Sequence, residues 1–158
     1  MIPQTLLRKQ FQNGYVVRNM ENTAAAFGKR FGISKWQFSH YDDPASPLNG
    51  IALAWAGDTM IELIEGNPKV QSLYSASIPE ADDVAKFHHF CFWIHSGPEF
   101  DQAVAEFQAL GAKDVYSGSH GDILRFHYAD TSPWLGHMCE LVYLLPAGKD
   151  MFAGVPHN

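Results

Sequence analysis

Cysteine is scarce in this chain of 158 residues: only Cys91 and Cys139 are present, each inside a run that reads as a strand, which excludes a disulfide-stapled scaffold. Charge is sparse too, at 18% of residues, and 11 basic against 17 acidic side chains leave a formal charge of −6 without any basic run. That balance excludes a nucleic-acid backbone or an anionic membrane surface as partner. No apolar run approaches the roughly 18 residues of a spanning helix, and the segment from Met1 to Lys9 lacks the apolar stretch of a secretory leader. A soluble, cytoplasmic protein is expected. What is abundant is hydrophobic side chain, at 46%, enough to bury a core in one compact domain or two small fused modules.

The chain reads as one pattern written twice. In the first copy a strand over 11–18 precedes a helix capped by Asn19 and closed by Gly32, and strands follow over 36–41, 51–56 and 59–64. In the second, a strand over 87–94 precedes a helix opened by the capping box Ser96-Gly97-Pro98-Glu99 and closed by Gly111. Strands over 115–117, 123–129 and 137–144 complete it, with Ser117 to Asp122 read as a turn. The expected organisation is an N-terminal arm over 1–10, a first module over 11–66, a connection over 67–85, a second module over 86–145 and a C-terminal tail over 146–158, whose end from Lys149 onward reads as loose and able to cover an edge or a pocket mouth. The fold class this implies is α+β, built from two tandem βαβββ modules.

Each copy carries a polar residue near its first strand and an acid in its last. Fifty positions separate Gln12 from Glu62, and fifty-one separate His89 from Glu140. Side chains alternate across a strand, so Gln12 shares a face with Gly14 and Val16, His89 with Cys91 and Trp93, Glu62 with Met60 and Ile64, and Glu140 with Met138 and Val142. Duplicated modules can bring these four donors to one place, and their types suit a metal site. Taken singly, each has a plainer reading. A buried histidine is usually a satisfied core residue, Gln12 at a strand start is usually solvated, and Glu62 can be an edge charge. Only Glu140, inside Met138-Cys139-Glu140-Leu141-Val142, needs a partner by itself if it faces inward.

The pattern resembles the vicinal oxygen chelate superfamily of glyoxalases, bleomycin-resistance proteins and dioxygenases. The resemblance covers about residues 10–145 and is strongest in Phe87-His88-His89-Phe90 and in the segment from Asp130 to Leu141. It implies that the two modules form a curved mixed sheet around a central cavity, helices on the outer face, and enclose a metal with Gln12, Glu62, His89 and Glu140 as ligands, the set closest to a glyoxalase I-like site. One imidazole with three oxygen donors suits a Lewis-acidic divalent ion (Zn, Ni, Co, Mn or Mg) better than the two-histidine iron site of oxygen activation. The resemblance therefore implies a lyase or isomerase that abstracts a proton next to a chelated oxygen, with Glu140 as first choice of base and Glu62 as second.

Trp36, Phe38, Trp55, Met60, Trp93, Tyr128 and Met138 are expected to line an apolar cavity suited to a small apolar or aromatic substrate, although the same stripe is compatible with ordinary core. Arg18 and Arg125 are the strand-associated arginines available to an anionic group. The rival expectation is a metal-free protein that sequesters an aromatic compound, as bleomycin-resistance relatives do. Sheet edges that pair across two chains instead of within one give a homodimer.

Overall fold

A computed structural model describes residues 4–158; the first three residues of the expected N-terminal arm lie outside the described residues. After a short α1 (Gln4–Leu7), the first module runs β1 (Gln10–Val17), α2 (Met20–Phe31), β2 (Gln37–His40), β3 (Leu48–Ala56) and β4 (Thr59–Gly66). The second runs β5 (Ala85–Ile94), α3 (Gly97–Ala109), β6 (Lys113–His120), β7 (Leu124–Asp130), a one-turn α4 (Ser132–Leu135) and β8 (Met138–Leu144). The strands form one mixed sheet in the order β2-β3-β4-β1-β5-β8-β7-β6. The fold is α+β, built from two tandem βαβββ modules.

The helix ends follow the sequence signals. Asn19 accepts a hydrogen bond from the Asn22 amide at 2.8 Å, and Gly32 closes α2 in the left-handed region at φ 77°. Ser96 does the same for α3 through the Glu99 amide, with Pro98 in the first turn. Both helices cover one face of their own module. Val17, Met20, Ala24, Ala52, Ile61 and Leu63 pack together in the first, and Phe92, Ile94, Phe100, Phe107, Cys139 and Leu141 in the second. Both cysteines are buried.

Two segments differ from the sequence expectation. The stretch Ser117 to Asp122 is not all turn: Ser117 to His120 belong to β6, opposite His127 to Leu124, and the reversal narrows to Gly121 at φ 55°. Every residue of β6 is exposed, so no apolar alternation marks it and small polar residues disguise it as a loop.

The expected loose tail is held in place. Gly154–Asn158 belongs with the compact unit Asn13–His88, and the segment ending at Gln12 belongs with His89–Ala153. Where β2 stops, at Gln37 opposite Leu53, the tail takes over the β3 edge: Trp55 N–H donates to Pro156 O at 2.9 Å, and the His157 ring stacks on Trp55 at 5.6 Å. The Asn158 side chain accepts from the Ser34 and Lys35 amides, both at 2.9 Å, and donates to the Lys35 and Trp55 carbonyls. Replacing Asn158 with alanine removes all four bonds and is expected to lower unfolding free energy by about 1–2 kcal/mol, read from urea denaturation.

Candidate metal centre

Alternation on the second module's strands decides which side chains meet. Phe90, Phe92 and Ile94 of β5, with Cys139 and Leu141 of β8, take the α3 side, so His89, Cys91 and Trp93 share the opposite face with Met138, Glu140 and Val142. β5 and β8 run parallel, with His89 beside Met138 and Cys91 beside Glu140. This register brings His89 Nε2 to 3.1 Å from Glu140 Oε2. His89 is 0% exposed and Glu140 8%. An acid and an imidazole taken this far from water are sustained only by each other, by further polar groups or by a cation. Tyr128, directly across from Glu140 on β7, sets its ring edge-on to His89 with centroids 5.1 Å apart. Gln12 on β1 is 4% exposed, unlike the solvated glutamine usual at a strand start.

In the first module Ile61 and Leu63 join the core under α2, and Glu62 therefore faces away from the helix with Met60 and Ile64. Glu62 lies opposite Leu53, and Leu53 lies opposite Gln37, so the three form a row across β4, β3 and β2. Just beyond β2, the Tyr41 phenol is held above its ordinary value of 10.0 by burial first and by the Glu62 carboxylate second. Neither Gln37 nor Tyr41 is singled out by motif or periodicity. The signal that finds them is register, counted outward from Glu62.

The expected cavity residues divide. Met60, Trp55, Trp93, Met138 and Tyr128 lie on the helix-free face of their own modules; Trp93 packs against Phe11 and Phe152 at 5.4 and 5.6 Å, and Trp55 carries the His157 ring. Trp36 and Phe38 do not lie there. Trp36 packs on Phe27 of α2, and its indole N–H donates to Ile33 O at 3.0 Å. Phe38 stands opposite Ala52 on the same α2 side and is 40% exposed. The physical reason is that β2 is an edge strand whose polar side chains, Gln37 and Ser39, take the Glu62 face. Trp36 is partly buried against α2 instead, and Phe38 stays exposed on that side.

His88, His127, His137, Arg18 and Arg125 are engaged elsewhere. His88 packs at a tilt on Tyr74 and sets Nε2 3.2 Å from Leu73 O; His137 packs on Phe90, with Nδ1 2.8 Å from Met138 O. Arg18 donates to Pro79 O, and Arg125 pairs with Asp101 at 2.7 Å over the Phe100 ring. His127 is buried on the α3 side of β7, 3.3 Å from Asp114. Desolvation holds its pKa below the ordinary 6.5, and Asp114 offsets part of that shift. Because the folded-state value is the lower one, the unfolded chain binds this proton more readily. The contribution of His127 is therefore complete above about pH 6.5 and is lost as pH falls through the folded value. A His127→Gln variant should flatten the acid limb of a stability–pH curve measured by urea denaturation.

Comparison with known proteins agrees with this architecture. A family model of the Glyoxalase/Bleomycin resistance protein/Dioxygenase superfamily matches residues 11–125. No curated protein matches in sequence. Among solved structures, methylmalonyl-CoA epimerase from Mycobacterium tuberculosis is similar with a TM-score of 0.64 and 13% identity, over 93% of this chain and 95% of that one. A Streptomyces coelicolor methylmalonyl-CoA epimerase variant, in complex with 2-nitronate-propionyl-CoA, gives 0.60 and 15%, over 86% and 96%. At these identities the likeness is one of fold. No helix of the described residues is long and apolar enough to cross a membrane.

Proposed function

We propose that this chain, which belongs to the Glyoxalase/Bleomycin resistance protein/Dioxygenase superfamily, is a divalent-metal-dependent lyase or isomerase that takes a proton from carbon beside a chelated oxygen of a small substrate. Glu62, His89 and Glu140 hold the ion, and Gln12 is the fourth donor. The observation that carries this reading is the group Glu62, His89 and Glu140, which offers one ligand atom each, all within 4.8 Å of one another. The donor chemistry fits the ion: one imidazole with carboxylate oxygens suits Zn, Ni, Co, Mn or Mg, and the buried acid–imidazole contact is a ready pair of ligands.

When bound, the ion supplies Lewis acidity to the substrate oxygens, which makes the neighbouring C–H easier to ionise. The other tasks fall to side chains. Glu140 turns Oε2 toward His89, and we assign Oε1 to receive the proton. Glu62 is the alternative base and the natural carrier of a proton to the opposite face in an epimerisation. Tyr128 fixes the His89 ring. Met60, Trp55, Trp93 and Met138 offer apolar surface to the substrate body, and the engagement of Arg18 and Arg125 elsewhere favours an uncharged or weakly anionic one.

The test is isotope exchange. Protein reloaded with each of the five metals is incubated in deuterium oxide with α-hydroxy acids, α-oxo acids and short acyl thioesters, and deuterium incorporation beside the oxygen is followed by proton NMR. Exchange that needs metal and is lost in Glu140→Gln is the expected result. Absence of exchange with every metal and every class speaks for sequestration of an aromatic ligand instead.

A further inference from the structure

The row that Glu62 begins ends on a buried atom with no hydrogen-bond partner. Gln37 Oε1 is shielded from solvent and accepts no hydrogen bond among the described residues. A buried amide oxygen without a donor is destabilising and is rarely retained without a reason. Its place in the fold supplies the reason. Gln37 lies opposite Leu53 and Leu53 opposite Glu62, all three facing away from α2. Two strand spacings of about 4.8 Å put the Gln37 and Glu62 backbones roughly 10 Å apart. The Leu53 side chain lies between them, buried at 4% exposure, and Ile51 and Trp55 share that face. This row has an acid at one end, an unsatisfied acceptor at the other and buried hydrocarbon in the middle.

We propose that Gln37 is a substrate-contacting residue: its amide oxygen accepts a hydrogen bond from a hydroxyl or N–H that the substrate carries beyond its chelated oxygens, with the intervening carbons lying over Leu53. The inference rests on the metal-dependent reading of the Glu62 site and narrows its substrate class to molecules with vicinal oxygens at one end and a hydrogen-bond donor several carbons away, within the two strand spacings, roughly 10 Å, that separate Glu62 from Gln37. Gly154 of the tail passes above Gln37, where a Cβ would stand 3.6 Å from Oε1. The substrate group reaches the amide once this segment shifts or the side chain turns out from beneath it. The segment is fastened by the Trp55–Pro156 backbone bond, by the exposed Asn158 bonds and by the buried Val155; exposed bonds of this kind open locally more readily than the packed core.

The experiment uses the full chain loaded with the metal it retains, titrated calorimetrically with ω-hydroxy α-oxo acids of four to six carbons and with the methyl-terminated acids that replace the hydroxyl oxygen by carbon. In the wild type, one hydroxylated member should bind about tenfold more tightly than its methyl counterpart, since an acceptor left unpaired by the wrong ligand discriminates strongly. Gln37→Leu should erase that preference while keeping full metal content. It should also melt no lower than the wild type, because it replaces an unpaired buried oxygen with hydrocarbon. A preference that survives in Gln37→Leu, or a wild type that binds both series equally at every length, overturns the inference and leaves the metal reading standing. Loaded protein that binds no acid of either series overturns the chelation reading, and the inference with it.

Discussion

Replacing His89 with alanine is expected to weaken divalent-metal binding by more than about 100-fold, since groups that merely orient a ligand already cost ten- to a hundredfold when removed. His89 is fully buried and supplies the single imidazole of the set. Its loss leaves oxygen donors only, a set that favours Mg or Ca over Zn, Ni or Co. The shift should therefore be uneven across metals, large for the softer ions and small for Mg. The variant also opens a cavity and leaves Glu140 without its 3.1 Å neighbour, so the metal-free protein should be less stable. His89→Gln, which fills more of the space and still offers a donor to Glu140, separates the two effects: it should recover much of the stability and little of the Zn affinity. Competition against a chromophoric chelator gives the affinities. Equal Zn affinity in wild type and His89→Ala would place any bound ion elsewhere.

Glu140→Gln is expected to cut turnover by at least about 1,000-fold at saturating metal, within the range for removal of a general base. The substitution keeps the volume of the side chain and a polar contact with His89, and it removes the oxygen assigned to receive the proton. Metal affinity should fall as well, so the comparison is made with the ion in excess. The fold should survive, because Leu141, Cys139 and Val142 carry the packing of β8. Turnover that falls while the affinity for substrate changes little assigns Glu140 to the proton-transfer step. A variant that keeps wild-type turnover moves the base to Glu62, and Glu62→Gln is the next protein to make.

Much of this was legible in the residues because the modules repeat. His89 and Glu140 fall on strands whose alternation is unambiguous: Phe90, Phe92, Ile94, Cys139 and Leu141 have to meet α3, which leaves one face for the donors. The same reasoning places Glu62, fixed between Ile61 and Leu63. It fails at β2, where Trp36 and Phe38 alternate with Gln37 and Ser39. A strand with aromatics on one side and amide or hydroxyl on the other does not say which side meets the helix, and hydrophobicity alone favours the wrong answer for a polar site. It fails again at β6, where exposure of both faces removes the alternation that identifies a strand. The ordered tail was invisible for another reason. Its attachment depends on Asn158 finding the backbone of Ser34, Lys35 and Trp55, far away in sequence, and no local propensity encodes such a contact.

The measurement closest to the central claim is elemental analysis of protein purified without a histidine tag, stripped with chelator, reloaded with each divalent ion in turn and freed of excess. One ion per chain is expected for the wild type and essentially none for Glu62→Ala, with the fold of both confirmed by circular dichroism. A well-folded wild type that retains no ion, or a Glu62→Ala protein that retains as much as the wild type, contradicts that claim.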